Sequence, residues 1–260
     1  MIETEKKPAF PDQNGPSAAV SGNHGTRTGI IPKIRKMEAA FFCSPFAWIF
    51  GYIQKYLARD LYRTQLQGVV DDSWESEKIL DVGCGHGTLL LELSHLTRNA
   101  ELMGVDRSPH LIQFARRSAR LEGRPAIRFA VMDAHDLKIP GDRFGRVLST
   151  SSIYLWEDPV KGLNEIHRVL RPGGKALVCD HMRADSLGKM YQSVMKQRIF
   201  GLGLPAYSCE ELIGFFEKSL FPSFRTWTTG MVMWFEAVKD GAGKALSNEK
   251  ESPRPAKPRP

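Results

Sequence analysis

The apolar positions in the middle of the chain alternate between two periods. Lys78–Val82 is a short apolar run of strand type, Thr88–Leu96 repeats its apolar residues at helical spacing, Glu101–Val105 is a second short run, and Ser108–Leu121 opens on Ser-Pro, a helix start. The pattern continues through strands at Ile127–Val131 and Arg146–Ser149, a helix over Pro159–Leu170, a turn at Arg171–Gly174 (RPGG) and a strand at Lys175–Cys179. Strands separated by helices predict an α/β fold: a doubly wound, mostly parallel sheet with helices on both faces.

Further on, a helical stretch lies near Leu187–Phe200. Ser208 followed by Glu210 and Glu211 predicts a capped helix running to Leu220. Ser223–Thr229 and Met231–Val238 then read as strands, and the short link at Thr229–Gly230 predicts a closing antiparallel hairpin.

The flanks lack this periodicity. Residues 1–29 are rich in Gly, Pro, Ser, Asn and Thr, and residues 241–260 end in PRPAKPRP, so neither can bury enough surface to order itself and both read as flexible tails. Residues 30–74 are predicted to form a helical, aromatic-rich extension, with Phe41, Phe42, Phe46, Trp48, Phe50 and Tyr52 crowded before the first strand. That stretch packs on the core, forms a lid over an apolar ligand, or lies on a membrane surface, where Lys33, Arg35 and Lys36 would face anionic lipid. Ala39–Gln54 is too short, and interrupted by Pro45, to span a bilayer.

Charge narrows the partners. Of the formal net charge of +7, residues 30–37 and 239–260 supply +6, so the rest of the chain is almost balanced. Basic edges on a near-neutral core predict weak, salt-sensitive attraction to anionic surfaces, and argue against nucleic acid as the dedicated partner. Cys43, Cys84, Cys179 and Cys209 are scattered with no C-x-x-C pair, which points away from a disulfide framework and towards a reducing, cytoplasmic setting. The opening MIETEKKPAF does not read as a secretory signal. Cys179 and His181 stand at i, i+2 on one strand face, but two ligands without a third make a poor metal site, and no metal is expected.

Candidate chemistry starts after the first strand. Gly83, Gly85 and Gly87 fall between that strand and a helix start, where bare backbone lets a ligand approach. A dinucleotide fingerprint, G-x-G-x-x-G, needs its third glycine at position 88, which is Thr88, so the spacing disfavours a nicotinamide cofactor. Asp106, at the end of the second strand and about 20 residues past the loop, can accept from both hydroxyls of a ribose. Asp133, after the third strand, can accept from an adenine amino group.

Through ILDVGCGHGTLLLEL, GVDRS, VMDAHDLKIPGDRFGRVLS and EIHRVLRPGGKALV, in that order and spacing, the chain resembles the class I S-adenosylmethionine-dependent methyltransferases over about residues 75–240, and within them the small-molecule branch that includes quinone methyltransferases. The resemblance implies a seven-stranded, Rossmann-like sheet in the order 3-2-1-4-5-7-6, S-adenosyl-L-methionine as cofactor, and a small, apolar or aromatic methyl acceptor. It places Asp81, Gly83, Cys84, Gly85 and Gly87 at the methionine end, Asp106 and Arg107 at the ribose, Asp133 and Ala134 at the adenine, and Ser149 beside the methyl group. The sulfonium is already an activated donor, so alignment suffices for many acceptors. Where a base is needed, the candidates are His181 and Tyr154.

Three other readings stay open: a cofactor-binding regulatory or scaffold protein without turnover, an RNA methyltransferase, and a nucleotide-binding oxidoreductase. RNA enzymes often carry an N/D-P-P-[FY] run after the fourth strand, where this chain reads STSSIYLW. The oligomeric state is not readable.

Overall fold

In the computed structural model, the described residues are 70–97, 99–181, 207–229 and 232–240, with positions 40, 44, 59, 62, 63 and 66 ahead of them. The two expected tails, the helix near 187–200 and most of the 30–74 extension lie outside the described residues.

The strands are β1 (Lys78–Val82), β2 (Glu101–Asp106), β3 (Arg128–Val131), β4 (Phe144–Thr150), β5 (Leu170–His181), β6 (Phe224–Thr229) and β7 (Val232–Val238). They form one sheet in the order β3-β2-β1-β4-β5-β7-β6, as the resemblance implies. The first five run parallel, and β7 is antiparallel to both β5 and β6, with Thr229 opposite Val232 across the predicted hairpin. Reversing the chain between β4 and β1 opens a crevice at the carboxyl ends of the strands, the usual position of a ligand in such sheets.

Helices α1 (Thr88–Leu96), α2 (Pro109–Leu121), α3 (Pro159–Val169) and α4 (Cys209–Glu217) start where local chemistry predicts. Ser108 Oγ accepts from Leu111 N ahead of α2, Asp158 from Lys161 N ahead of α3, and Ser208 and Glu211 form a reciprocal capping box on α4. Strand alternation sends Leu80, Val82, Val147, Val178 and Phe235 into one buried layer with α3 and α4, and Ile79, Leu148, Leu177 and Trp234 into a second layer with α1 and α2.

Two boundaries differ from expectation. The predicted RPGG turn is a bulge inside β5: Phe144 pairs with Leu170 but Arg146 with Lys175, Gly173 stands at φ 74°, and it bonds Lys239 O through its amide at 2.9 Å. Helix α4 ends at Glu217 because Ser219 Oγ takes the Phe216 carbonyl at 2.7 Å and Leu220 N goes to Asn164 Oδ1 at 2.8 Å.

The seat of Trp156 on α3 gives a stability prediction. A Cβ at Gly162 would stand 2.4 Å from the buried Trp156 ring. Gly162→Ala should therefore lower stability by about 1–3 kcal/mol through overpacking, outweighing the roughly 1 kcal/mol that alanine gains in a helix. Urea unfolding measures the balance, and a raised midpoint would mean that Trp156 yields freely.

Candidate cofactor site

The loops after β1, β2, β3 and β4 converge at the crevice. After β1 the chain folds back on β2, with the amides of Gly83 and Cys84 both donating to Val105 O at 2.8 and 3.0 Å. Gly83 and Gly85 hold φ values of 76° and 51°, in the left-handed region that favours glycine. Their surroundings differ. A Cβ on Gly83 would meet Ser152 Oγ at 1.9 Å, whereas one on Gly85 would meet nothing within 4 Å, so Gly85 presents bare backbone to open space. Gly87 sits against Ala115 and Phe129, where it lets α2 and β3 close on the start of α1.

Asp106, the last residue of β2, ties this loop down. Its Oδ2 accepts from Gly85 N at 2.9 Å and its Oδ1 from Ser108 N at 2.8 Å, leaving each oxygen a further lone pair. Burial raises its carboxyl above the ordinary range, against the two amides and the Arg107 charge. Arg107 itself is exposed.

Asp81 has no such partners. It is 1% exposed, and among the described residues neither carboxylate oxygen has a hydrogen-bond partner. Burial first, and then the charge of Asp106, push its carboxyl up to about 8. A buried acceptor without a donor is costly, and a ligand ammonium would relieve it. Next to it, Cys84 is buried with Sγ 3.9 Å from Gly85 O, and burial followed by the charges of Asp81 and Asp106 drives its thiol upwards. The donor set of an orphaned carboxylate, an open glycine backbone and an anchored second carboxylate fits a ligand carrying a cationic amine and a vicinal diol.

Beyond β3, Asp133 is half exposed, and its Oδ1 accepts from the His135 amide at 2.9 Å and pairs with the His135 ring Nδ1 at 2.6 Å. Although partial burial works to raise it, these bonds and the Arg107 charge hold the Asp133 carboxyl below the usual carboxylate range. The neighbouring Ala134 is partly buried against the core. His135 is absent from the sequence-predicted set. Its Nε2 accepts from Asp158 N at 3.2 Å, and its ring meets Trp156 edge-on at 6.2 Å, so it fixes the β3 loop to the start of α3. The Asp-x-His spacing is its local signal.

After β4, Ser149 is fully buried with its hydroxyl unpartnered among the described residues, and Ser151 turns the chain at φ 49° with its amide on Cys179 O at 2.8 Å. Tyr154 follows in a single 3₁₀ turn, Ile153–Leu155, and its amide donates to Asp180 Oδ2 at 3.0 Å. Asp180, also outside the predicted set, is 2% exposed in β5 and joins the ends of the two strands. His181 is the last residue of β5, opposite Val232; its side chain lies outside the described residues. Elsewhere, a cleft of about 240 Å³ bordered by Trp74, Arg146, Lys175, Arg225 and Glu236 shares no residue with these loops. Among the described residues, no helix is long and apolar enough to cross a membrane.

The chain is similar to known proteins. The chain is 31% identical over 163 residues to 2-methyl-6-phytyl-1,4-hydroquinone methyltransferase 1, chloroplastic, of Oryza sativa subsp. japonica, covering 62% of this chain and 46% of that protein. It is 36% identical over 104 residues to a demethylmenaquinone methyltransferase of Thermus thermophilus, covering 40% and 47%. The chain thus spans about half the length of these curated relatives. In fold it is similar to the crystal structure of a SAM-dependent methyltransferase from Thermotoga maritima, with a TM-score of 0.58 and 19% identity over 75% of this chain and 99% of that one. With the glycine loop and its carboxylates inside residues 74–215, the span matched by the Methyltransferase domain family, the chain belongs to that family.

Proposed function

We propose that the protein transfers a methyl group from S-adenosylmethionine to a small, apolar or aromatic organic acceptor. The observation that carries this reading is Asp81, a buried carboxylate with no hydrogen-bond partner among the described residues, beside an open glycine backbone. In this reading Asp81 takes the amino group of the methionine moiety, Gly83, Cys84 and Gly85 line it, and Gly87 keeps the loop closed. Asp106 accepts from the ribose hydroxyls with Arg107 at the rim, Asp133 and Ala134 border the adenine, and Ser149 borders the methyl group. The two quinone-type relatives support a small aromatic acceptor.

S-adenosylmethionine, when bound, supplies an activated methyl group, so the chain's own work is to bind, orient and exclude water. For an acceptor that must lose a proton, Tyr154 and His181 are the proposed proton acceptors, standing on segments joined through Asp180. For the aromatic-rich residues 30–74 the reading is an extension on the core or a lid over the acceptor, with weak contact of residues 30–62 to an anionic membrane surface as the alternative. Residues 75–240 form the catalytic unit, flanked by tails at 1–29 and 241–260. A reducing, cytoplasmic setting suits the free thiols of Cys84 and Cys179.

Calorimetric titration tests the proposal. S-adenosylmethionine and S-adenosylhomocysteine should bind at micromolar Kd while NAD does not; absence of binding by both S-adenosyl compounds would sink the reading.

A further inference from the structure

His135 directly follows Asp133 and Ala134, and three separate contacts hold its ring. Nδ1 stands 2.6 Å from Asp133 Oδ1, Nε2 lies 3.2 Å from the Asp158 amide nitrogen, and the Trp156 ring meets the imidazole edge-on at a centroid distance of 6.2 Å. The His135 side chain is 15% exposed, so water competes little for these contacts.

The Asp158 contact fixes which nitrogen carries the proton. A backbone N–H can only donate, so Nε2 offers its lone pair and the ring hydrogen stands on Nδ1. Nδ1–H therefore donates to Asp133 Oδ1, which also accepts from the His135 amide at 2.9 Å. Both bonds fall on one oxygen. Among the described residues Oδ2 has none, and it remains the open acceptor of a half-exposed carboxylate whose plane is already set.

The far side of the imidazole is equally fixed. Asp158 caps the start of α3 with its side chain on Lys161 N at 3.0 Å, and the buried Trp156 donates from Nε1 to Ser152 Oγ at 3.0 Å. The β3 loop is itself closed by Asp136 N on Asp133 O at 3.1 Å.

We propose that His135 is a positioning residue for the purine: its Nδ1–H, fixed as a donor by the Asp158 amide, occupies Asp133 Oδ1 and leaves Oδ2 for the exocyclic amino group of the bound adenine. The proposal rests on the cofactor reading above. It deepens that reading by assigning recognition of the 6-amino group to Asp133 and His135 as a pair. A free aspartate at this exposure rotates among rotamers, and ordering it on binding costs affinity; an aspartate held beforehand escapes that cost.

The test uses two ligands that differ by one group: S-adenosylhomocysteine and its purine analogue with hydrogen in place of the 6-amino group. Calorimetry on the full chain gives the ratio of their Kd values for each variant, and any unfolded fraction of protein cancels in that ratio. Wild type should bind S-adenosylhomocysteine at least about tenfold more tightly, as for a hydrogen bond to a charged group. His135→Phe keeps a ring against Trp156 but no donor, and its ratio should fall to about threefold or less. His135→Asn restores a side-chain N–H donor without an acceptor for the Asp158 amide, and its ratio should return to within about twofold of wild type. A His135→Phe protein with the wild-type ratio, or a His135→Asn protein no better than His135→Phe, would overturn the assignment, as would a wild type that does not distinguish the two ligands. If wild type binds neither, the cofactor reading itself fails, an outcome distinct from these.

Discussion

Replacing Asp81 by Asn is expected to raise the melting temperature of the ligand-free protein while removing most of its affinity for S-adenosylmethionine. The carboxylate is 1% exposed and has no hydrogen-bond partner among the described residues, so its ionisation opposes folding. With the folded carboxyl pushed up to about 8 from an ordinary value of 3.8, the native state binds its proton more tightly than the unfolded chain does. The sign follows from that order. Stability present below about pH 4 is lost progressively as pH rises, and the loss is complete above about pH 8.

An amide of the same shape escapes this loss, so the gain in Asp81→Asn should grow with pH across that window. Relief of about 2 kcal/mol would raise the melting temperature by roughly 4–8 °C in a domain of this size. Binding runs the other way. The ligand ammonium needs the ionised carboxylate, so wild-type affinity should climb with pH, by up to about tenfold per unit, and level off above about 8. The variant should lose this dependence and bind about 10–150-fold more weakly. Thermal melts and calorimetric titrations at pH 6 to 9 read both effects, and a variant with unchanged melting temperature and unchanged Kd would remove Asp81 from the site.

The second large effect is expected at Asp106. Asp106→Ala should weaken S-adenosylhomocysteine binding by about 1–3 kcal/mol, through the loss of a charge-assisted contact to the ribose. Here the protein also loses internal bonds, since Asp106 holds Gly85 N at 2.9 Å and Ser108 N at 2.8 Å. The variant should therefore be destabilised, opposite in sign to Asp81→Asn, because this carboxylate is satisfied and the other is not. Asp106→Asn keeps one acceptor oxygen and should recover part of the stability but little of the affinity. A folded Asp106→Ala protein with wild-type Kd would refute the ribose assignment.

These two aspartates show how much of the site could be read along the chain. Asp81 and Asp106 were both legible from their positions at strand ends beside a glycine loop. Their contrast was not, because whether a carboxylate is paired depends on amides and side chains brought in from elsewhere. The same holds for Asp180, which looks like an ordinary strand residue until the Tyr154 amide is placed 3.0 Å from it. Glu92 sits unremarked in the apolar run TLLLELSHL, and only the arrival of Arg59 and Arg63 explains a charge at that depth.

By itself, the sequence determined what local chemistry can determine. The alternation of periods set strands and helices, Ser108, Asp158 and Ser208 set helix starts by offering an acceptor to free amides, and the glycine spacing set a loop open to a ligand. The RPGG segment marks the boundary of that power: its composition signals a break, but pairing with Phe144, Arg146 and Lys239 on either side makes it a bulge within one strand. Tertiary structure alone decided which of three glycines faces open space, which aspartate lacks a partner among the described residues, and that Arg59 and Arg63 meet Glu92. Each of these is a contact between residues far apart in the chain, and such contacts leave no periodic trace in the residues that make them.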